Sequence, residues 1–200
     1  MTAKTYDRQK IAKFLAVIGE NIKAVQKFLG NAFYPPEVAT SIFNVWKTIR
    51  LGTGLKTADD FRKDLKNKGF SIGDWANDIL GKPAFTVAAE ETEVDLVKVT
   101  VAGLGFRKGV RRDQIYKRAE ELGLRRCPSE VGPQLRLQYR DQPNGEWIII
   151  GMEPIIASDG NLSVFSVLRF DSELWLYGGW GRPDRVWDAD SQWVFRLPRK

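Results

Sequence analysis

Residues 171–200 read DSELWLYGGWGRPDRVWDADSQWVFRLPRK and carry four of the seven tryptophans of the chain: Trp175, Trp180, Trp187 and Trp193. A half-buried strand alternates apolar and polar residues, and a solvated tail has no use for tryptophan. This stretch does neither throughout. Trp193, Phe195 and Leu197 alternate as a strand facing a core, Trp175 lies in a similar strand, and Arg182-Pro183-Asp184 reads as a turn. Between the rings stand Tyr177, Gly178, Gly179, Gly181, Arg182, Asp184, Arg185, Val186, Asp188, Asp190 and Ser191, in no period. Two readings follow. The tryptophans fill the core of a small β-rich domain, or they anchor a loop whose small and polar neighbours face outward. Tyr, Ser, Gly and Arg on a rigid support are the residue types of binding loops.

Upstream, short β-type stretches are predicted over 133–139, 146–152, 162–170 and 173–177, with a last strand at 192–197. Asp141-Gln142-Pro143-Asn144-Gly145 and Ser158-Asp159-Gly160-Asn161 are turn signals between them. Val97, Val99 and Val101 mark a strand at 94–101. A helix at 111–122, with Ile115, Ala119 and Leu122 inside, ends at Gly123. Residues 88–93 are acidic or small and read as a linker. Before them, four helices are predicted. The first spans 7–30 with a three-to-four-residue apolar spacing, and a second begins at Pro36 and carries Val38, Ile42, Val45, Trp46 and Ile49. A third is capped by Thr57 in a capping box with Asp60, and a short fourth is capped by Ser71 and ends at Gly81. The expected fold class is therefore α+β: a basic helical unit over 1–82, then a mixed domain over 94–200 with short antiparallel strands.

Two hundred residues with 43% hydrophobic and 28% charged content can build a core and are not the composition of a disordered chain. No apolar run approaches a membrane span, and no signal peptide is recognisable, so the default expectation is a cytoplasmic protein, with surface display left open. Histidine is absent. Its absence removes Ser-His and Cys-His nucleophilic pairs, imidazole metal sites and imidazole acid–base chemistry. The single Cys127 excludes an internal disulfide and reads as a small core hydrophobe. No catalytic residue, metal site or cofactor is expected, and the chain is read as a non-enzyme.

The net charge of +6 is unevenly placed: residues 1–82 hold 14 Lys and Arg against 8 Asp and Glu, and residues 83–200 hold 17 of each. Arg62, Lys63, Lys66 and Lys68 lie on one predicted helix and Lys10, Lys13, Lys23 and Lys27 on another. Such rows bind nucleic acid when they share a face, because displaced counterions supply free energy. Asp59 and Asp64 stand four residues before Lys63 and Lys68, so ordinary i,i+4 pairing on a solvated face accounts for part of the row. Gly103-Leu104-Gly105-Phe106 lacks the third glycine of a dinucleotide fingerprint and the Gly-Lys-Ser/Thr of a phosphate loop; it reads as a tight turn. Glu120 and Glu121 are adjacent on a helix and diverge. Asp184, Asp188 and Asp190 offer hard oxygens, but not at the spacing of a calcium-binding loop.

Two resemblances add to this. Glu121-Leu122-Gly123-Leu124, Cys127-Pro128, the run from Glu130 to Leu137, and Gly145-Glu146-Trp147 are similar to a set of uncharacterised bacterial proteins, which implies no function. The C-terminal stretch resembles the variable region of target proteins of diversity-generating retroelements. There, template adenines are mutagenised during reverse transcription, so Asn codons yield Tyr, Gly, Ser, Asp, Arg or Val between fixed Trp and Phe anchors. The resemblance implies a C-type-lectin-like domain without required disulfides, and a hypervariable ligand-binding surface made of Tyr177, Gly178, Gly179, Gly181, Arg182, Asp184, Arg185, Val186, Asp188, Asp190 and Ser191. Its ligand would be a protein or surface group. The helical unit departs from a minimal lectin-type domain and is read as an attachment module or an oligomerisation module that makes a homo-oligomer. The alternative is a nucleic-acid-binding accessory protein that uses the basic helices.

Overall fold

The computed structural model describes residues 43–199. The helix expected over 7–30, and the start of the one expected after Pro36, lie outside that range. The described chain is α+β: four helices interleave with a curled mixed sheet of eight strands, and a two-stranded ribbon stands beside it. The strands are β1 (Lys47–Leu51), β2 (Ser71–Ile72), β3 (Thr92–Thr100), β4 (Val110–Arg111), β5 (Trp147–Ile150), β6 (Ile155–Ile156), β7 (Leu162–Phe170), β8 (Glu173–Trp180), β9 (Val186–Trp187) and β10 (Gln192–Leu197). The helices are α1 (Ala58–Asn67), α2 (Asp74–Leu80), α3 (Arg112–Glu121) and α4 (Val131–Gln138). The sheet runs β1-β3-β10-β5-β7-β8-β2, with β6 added to β7, and β4 pairs with β9. Among the strand pairs of the described residues, only β10–β5 and β2–β8 are parallel.

Local chemistry explains several elements directly. Thr57 caps α1 as expected: its hydroxyl accepts from the Asp60 N–H at 3.2 Å, and the Asp60 carboxylate accepts from the N–H groups of Thr57 at 2.9 Å and Lys56 at 3.0 Å. Those bonds to the charged form hold the Asp60 carboxyl below the usual carboxylate range, the Thr57 hydroxyl being the largest cause. β7 and β10 occupy the predicted residues, and α3 lies within its predicted span.

Four expectations need correction. Residues 133–139 alternate Leu135, Leu137 and Tyr139, yet 131–138 form α4. This helix is buried on every side up to Leu137, so it has no solvated face to impose a helical period. Its buried polar residues made the alternation look like a strand. Pro133 falls in the first turn, where backbone N–H groups have no helical partner. Second, Trp46 and Ile49 belong to no helix: Ile49 is in β1, which pairs with β3 as Ile49↔Val94, and the Trp46 N–H donates to the Leu96 carbonyl at 2.7 Å. Third, Ser71 is in β2, and Gly73 is the N-cap of α2. Fourth, β1, α1, β2 and α2 do not form a separate helical unit. They share the sheet and the core with everything after residue 82 through Phe61, Leu65, Ile79 and Leu80.

α4 is tied in by a polar ladder at i, i+4 and i+8. The Gln138 amide donates to Gln134 at 3.0 Å, and the Gln134 amide donates to Glu130 at 3.0 Å. Gln138 also meets both backbone groups of Arg50, accepting from its N–H at 2.9 Å and donating to its carbonyl at 2.8 Å. A side-chain amide thus pairs the outer edge of β1 as a neighbouring strand would. The buried Glu130 carboxylate accepts from the N–H groups of Gly52 and Ala88, both at 2.8 Å. Against the sheet, α4 comes so close that a Cβ on Gly132 would lie 2.5 Å from the Phe165 Cβ. Only glycine permits that packing.

Candidate functional site

Cross-strand partners share a sheet face. Trp193 of β10 pairs with Ile149 of β5, Ile149 with Ser166 of β7, and Ser166 with Tyr177 of β8. Two residues along β5, Trp147 lies on the same face, opposite Leu168, which in turn pairs with Trp175. The register therefore collects rings that are far apart in sequence. They form a continuous series. Trp193 stacks near Phe195 (6.2 Å between centroids, 14°) and meets Trp187 edge-on at 5.1 Å. Trp187 lies 6.4 Å from Trp180 and 6.3 Å from Trp147, and Trp147 and Trp180 are 5.1 Å apart. Tyr116 of α3 seals the inner end against Trp193 at 5.7 Å.

The series runs from core to surface. Trp193 is 0% exposed and Trp187 6%, whereas Trp147 is 36% and Trp180 42% exposed. Trp180 is one of two non-glycine residues with left-handed backbone among the described residues, at φ 49°. An L-residue there stores conformational energy, on the order of 1–2 kcal/mol. The chain holds a large ring in a costly backbone state in order to end β8 with that ring in solvent. Trp175 is half-buried, Trp187 is buried and Trp180 is exposed.

Two clefts flank the Trp147–Trp180 ridge. One, of about 300 Å³, is bounded by Trp75, Tyr177, Trp180, Asp159, Asn161 and Arg182. The other, of about 340 Å³, is bounded by Trp147, Trp187, Arg185, Asp188, Asp190 and Gln192. The loop between them is tied at the backbone. Arg112 N–H donates to the Arg185 carbonyl at 2.8 Å, Asp113 N–H to Pro183 at 3.1 Å, Ala102 N–H to Ala189 at 2.7 Å and Val101 N–H to Ser191 at 3.1 Å. β9 is held by β4 as Val110↔Trp187.

Of the eleven expected ligand-binding positions, Arg182, Asp184, Arg185, Val186, Asp188 and Asp190 are exposed on this tied loop, and Ser191 is half-buried at its end. The other four are constrained by packing or backbone. Tyr177 packs its ring on Gly73, where a Cβ would lie 2.7 Å from the ring. Gly178 and Gly181 are buried, and a Cβ on either would meet backbone, at 2.7 Å from Ala76 and 2.8 Å from Leu162 and Ser163. Gly179 has φ 144°, which disfavours other side chains.

Charges at the site are distributed in pairs and singles. Arg182 and Asp184 form a two-point pair at 3.2 and 3.0 Å, and this guanidinium holds the Asp184 carboxyl below the usual range. The Arg185 guanidinium lies over the rings of Trp187 at 5.7 Å and Trp180 at 5.8 Å. Asp188 and Asp190 take part in no ion pair among the described residues. No group of three or more His, Cys, Asp or Glu among the described residues is placed to hold a metal ion. Burial pushes the Cys127 thiol up to about 12, so it is no thiolate at neutral pH.

The basic row of α1 is partly committed. Arg62 bonds Asn77 at 2.6 and 2.7 Å and Asp59 at 2.8 Å, and Lys68 pairs with Asp64 at 2.7 Å. Lys63 and Lys66 remain exposed; Lys10, Lys13, Lys23 and Lys27 lie outside the described residues. Among the described residues no helix is long and apolar enough to cross a membrane. Sequence reasoning missed Trp147 and Trp75 as site residues. Neither has a local signal, because Trp147 reaches the ridge through the pairing of β5 with β7 and Trp75, on α2, joins Tyr177 and Trp180 only around one cleft. No protein-family model matches the chain, and neither the curated proteins nor the solved structures give a significant match.

Proposed function

We propose that this protein is a non-enzymatic ligand-binding protein whose binding surface is the Trp147–Trp180 ridge and the tied loop 181–191. One observation carries the reading: Trp180, 42% exposed, is held at φ 49° where it lines the cleft of about 300 Å³. Strained residues persist where the surroundings over-determine them, and they cluster at ligand sites. Exposed tryptophan and arginine are the side chains that dominate binding energy elsewhere.

The finer reading is a C-type-lectin-like domain diversified by a retroelement. Its support is that six exposed side chains project from a loop whose backbone is fixed, so they vary without disturbing the fold. Packing at Gly178 and Gly181 and the backbone at Gly179 restrict the reading to Arg182, Asp184, Arg185, Val186, Asp188 and Asp190, with Ser191 and Tyr177 as marginal members. The test is the DNA flanking the coding sequence. A near-copy of codons 174–197 that differs only at adenines, beside a reverse-transcriptase gene, is the expected result. A locus with neither sinks diversification. Loss of all ligand capture in a Trp147→Ala, Trp180→Ala double variant is expected for the ridge itself, and unchanged capture refutes it.

A further inference from the structure

The cleft of about 300 Å³ is bordered by three aromatic residues and one carboxylate without a counter-charge. Its volume sits at the lower end of the small-molecule range of roughly 300–1,000 Å³. Three segments build it. Trp75 stands in the first turn of α2, Tyr177 and Trp180 in β8, and Asp159 in the turn between β6 and β7. Glycine lets helix and strand meet: a Cβ on Gly178 would lie 2.7 Å from the Ala76 nitrogen and 3.0 Å from the Trp75 carbonyl carbon. Trp75 and Trp180 are each 42% exposed, and the Tyr177 and Trp180 rings lie 6.2 Å apart, tilted by 34°. Exposed rings around a concavity are the usual wall of a ligand site.

The charges near the cleft are mostly paired. Arg182 is held at two points by Asp184, at 3.2 and 3.0 Å, and Lys82 pairs with Asp78 at 3.1 Å. Asp159 takes part in no ion pair among the described residues. Its two oxygens accept from the Asn161 N–H at 2.9 Å and the Asn161 amide at 2.7 Å. Those bonds, the side-chain amide first, hold its carboxyl below the usual carboxylate range. Aromatic faces carry partial negative charge, so rings and carboxylate favour the same sign of ligand. Trp180 already attracts one cation: the Arg185 guanidinium, which borders the other cleft, lies 5.8 Å from its ring centroid.

We infer that this cleft binds a quaternary ammonium group, of the kind carried by choline or by a trimethylated lysine; the inference rests on the ligand-binding reading above. An anion would be repelled by Asp159, and the one cation on the lining is engaged by Asp184. A neutral apolar group would leave Asp159 without a counter-charge. A primary ammonium is strongly hydrated and needs acceptors, whereas both oxygens of the carboxylate here already serve Asn161. A quaternary ammonium needs no acceptor. Its charge is spread over methyl groups that pack on ring faces, and aromatic cages recognise it by that attraction.

The experiment uses the full chain, with tryptophan fluorescence and saturation-transfer NMR as readouts. The probes are choline, its uncharged isostere in which carbon replaces nitrogen, and ethanolamine. Choline binds, with transfer strongest at its methyl protons, and the other two bind at least about tenfold more weakly. Trp75→Ala and Asp159→Asn each weaken choline by about tenfold, and the exposed α3 change Lys117→Ala leaves it unaltered. Asp159 is exposed and Asn has its shape, so this variant keeps the test valid if Trp75→Ala does not fold. A short peptide with trimethyl-lysine, beside its unmethylated form, identifies the source of the group: tighter binding than choline assigns it to a modified protein, weaker binding to a small molecule. Binding of neither choline nor that peptide, equal binding of choline and its uncharged isostere, or choline binding indifferent to Asp159→Asn overturns the inference. A peptide display library panned on the same protein separates the two readings. Peptide capture lost in the Trp147→Ala, Trp180→Ala double variant, without ammonium binding, removes the ammonium and keeps the ridge; capture of neither class removes both.

Discussion

Replacing Trp180 by glycine and, separately, by alanine tests whether the exposed ring is held in a strained backbone. Both changes delete the same ring and the same contacts with Trp147 at 5.1 Å, Tyr177 at 6.2 Å and Trp187 at 6.4 Å. Those losses are common to the two variants, so their difference isolates the backbone. At φ 49° alanine keeps a left-handed penalty of roughly 1–2 kcal/mol that glycine does not have. Glycine gives back roughly 0.5–1 kcal/mol through the greater freedom of its unfolded chain. The glycine variant is therefore more stable by about 1 kcal/mol, the reverse of the order at an ordinary strand or helix position. For a chain of this size that is a Tm difference of roughly 2–4 °C. Relative to the parent, both variants lose about 1–2 kcal/mol of ring pairing. Urea denaturation with m-values checked for equality is the measurement. An alanine variant as stable as the glycine variant, or more so, refutes the strained backbone and removes the observation on which the proposed function rests.

Gly132→Ala puts a methyl 2.5 Å from the Phe165 Cβ, where about 3.5–4 Å is needed; overpacking of roughly 1–3 kcal/mol exceeds the helix-propensity gain of about 1 kcal/mol, so calorimetry should show a lowered Tm. Native Cys127, with its thiol at about 12, should resist a thiol reagent at pH 8 and react fully in denaturant; rapid native labelling would show that it is not buried. Thr57→Ala removes the α1 cap and costs about 1 kcal/mol near neutral pH. The Asp60 carboxyl is depressed in the folded state, so its contribution is present above its unfolded pKa and is lost as pH falls through the lower folded value. Acid unfolding curves of parent and Thr57→Ala should therefore converge at low pH; a constant gap down to the acid limit would contradict the pairing.

The α1 capping box, β7, β10 and most of α3 were legible because their signals are local. A hydroxyl three residues before a carboxylate, or a Val/Phe/Trp run bounded by turns, specifies its own backbone. The candidate site was half legible. The loop 181–191 announced itself by composition, and its exposed residues lie among those named from sequence. The other half was not, since Gly178 and Gly181 look like free loop residues until the backbones of α2 and β7 are found against them. α4 was unreadable for a related reason. A helix enclosed by sheet and helices has no wet face, and periodicity measures only the boundary between wet and dry.

By itself, then, the sequence determined the α+β class, the absence of imidazole chemistry, and the segment that carries the rings. Only the tertiary structure decided which rings meet solvent. That choice is made by strand register: pairing Trp193 with Ile149, and Ile149 through Ser166 with Tyr177, brings Trp147 to the outer end of a series that begins at Trp193. Register depends on long-range backbone pairing across the sheet, and no residue encodes it alone.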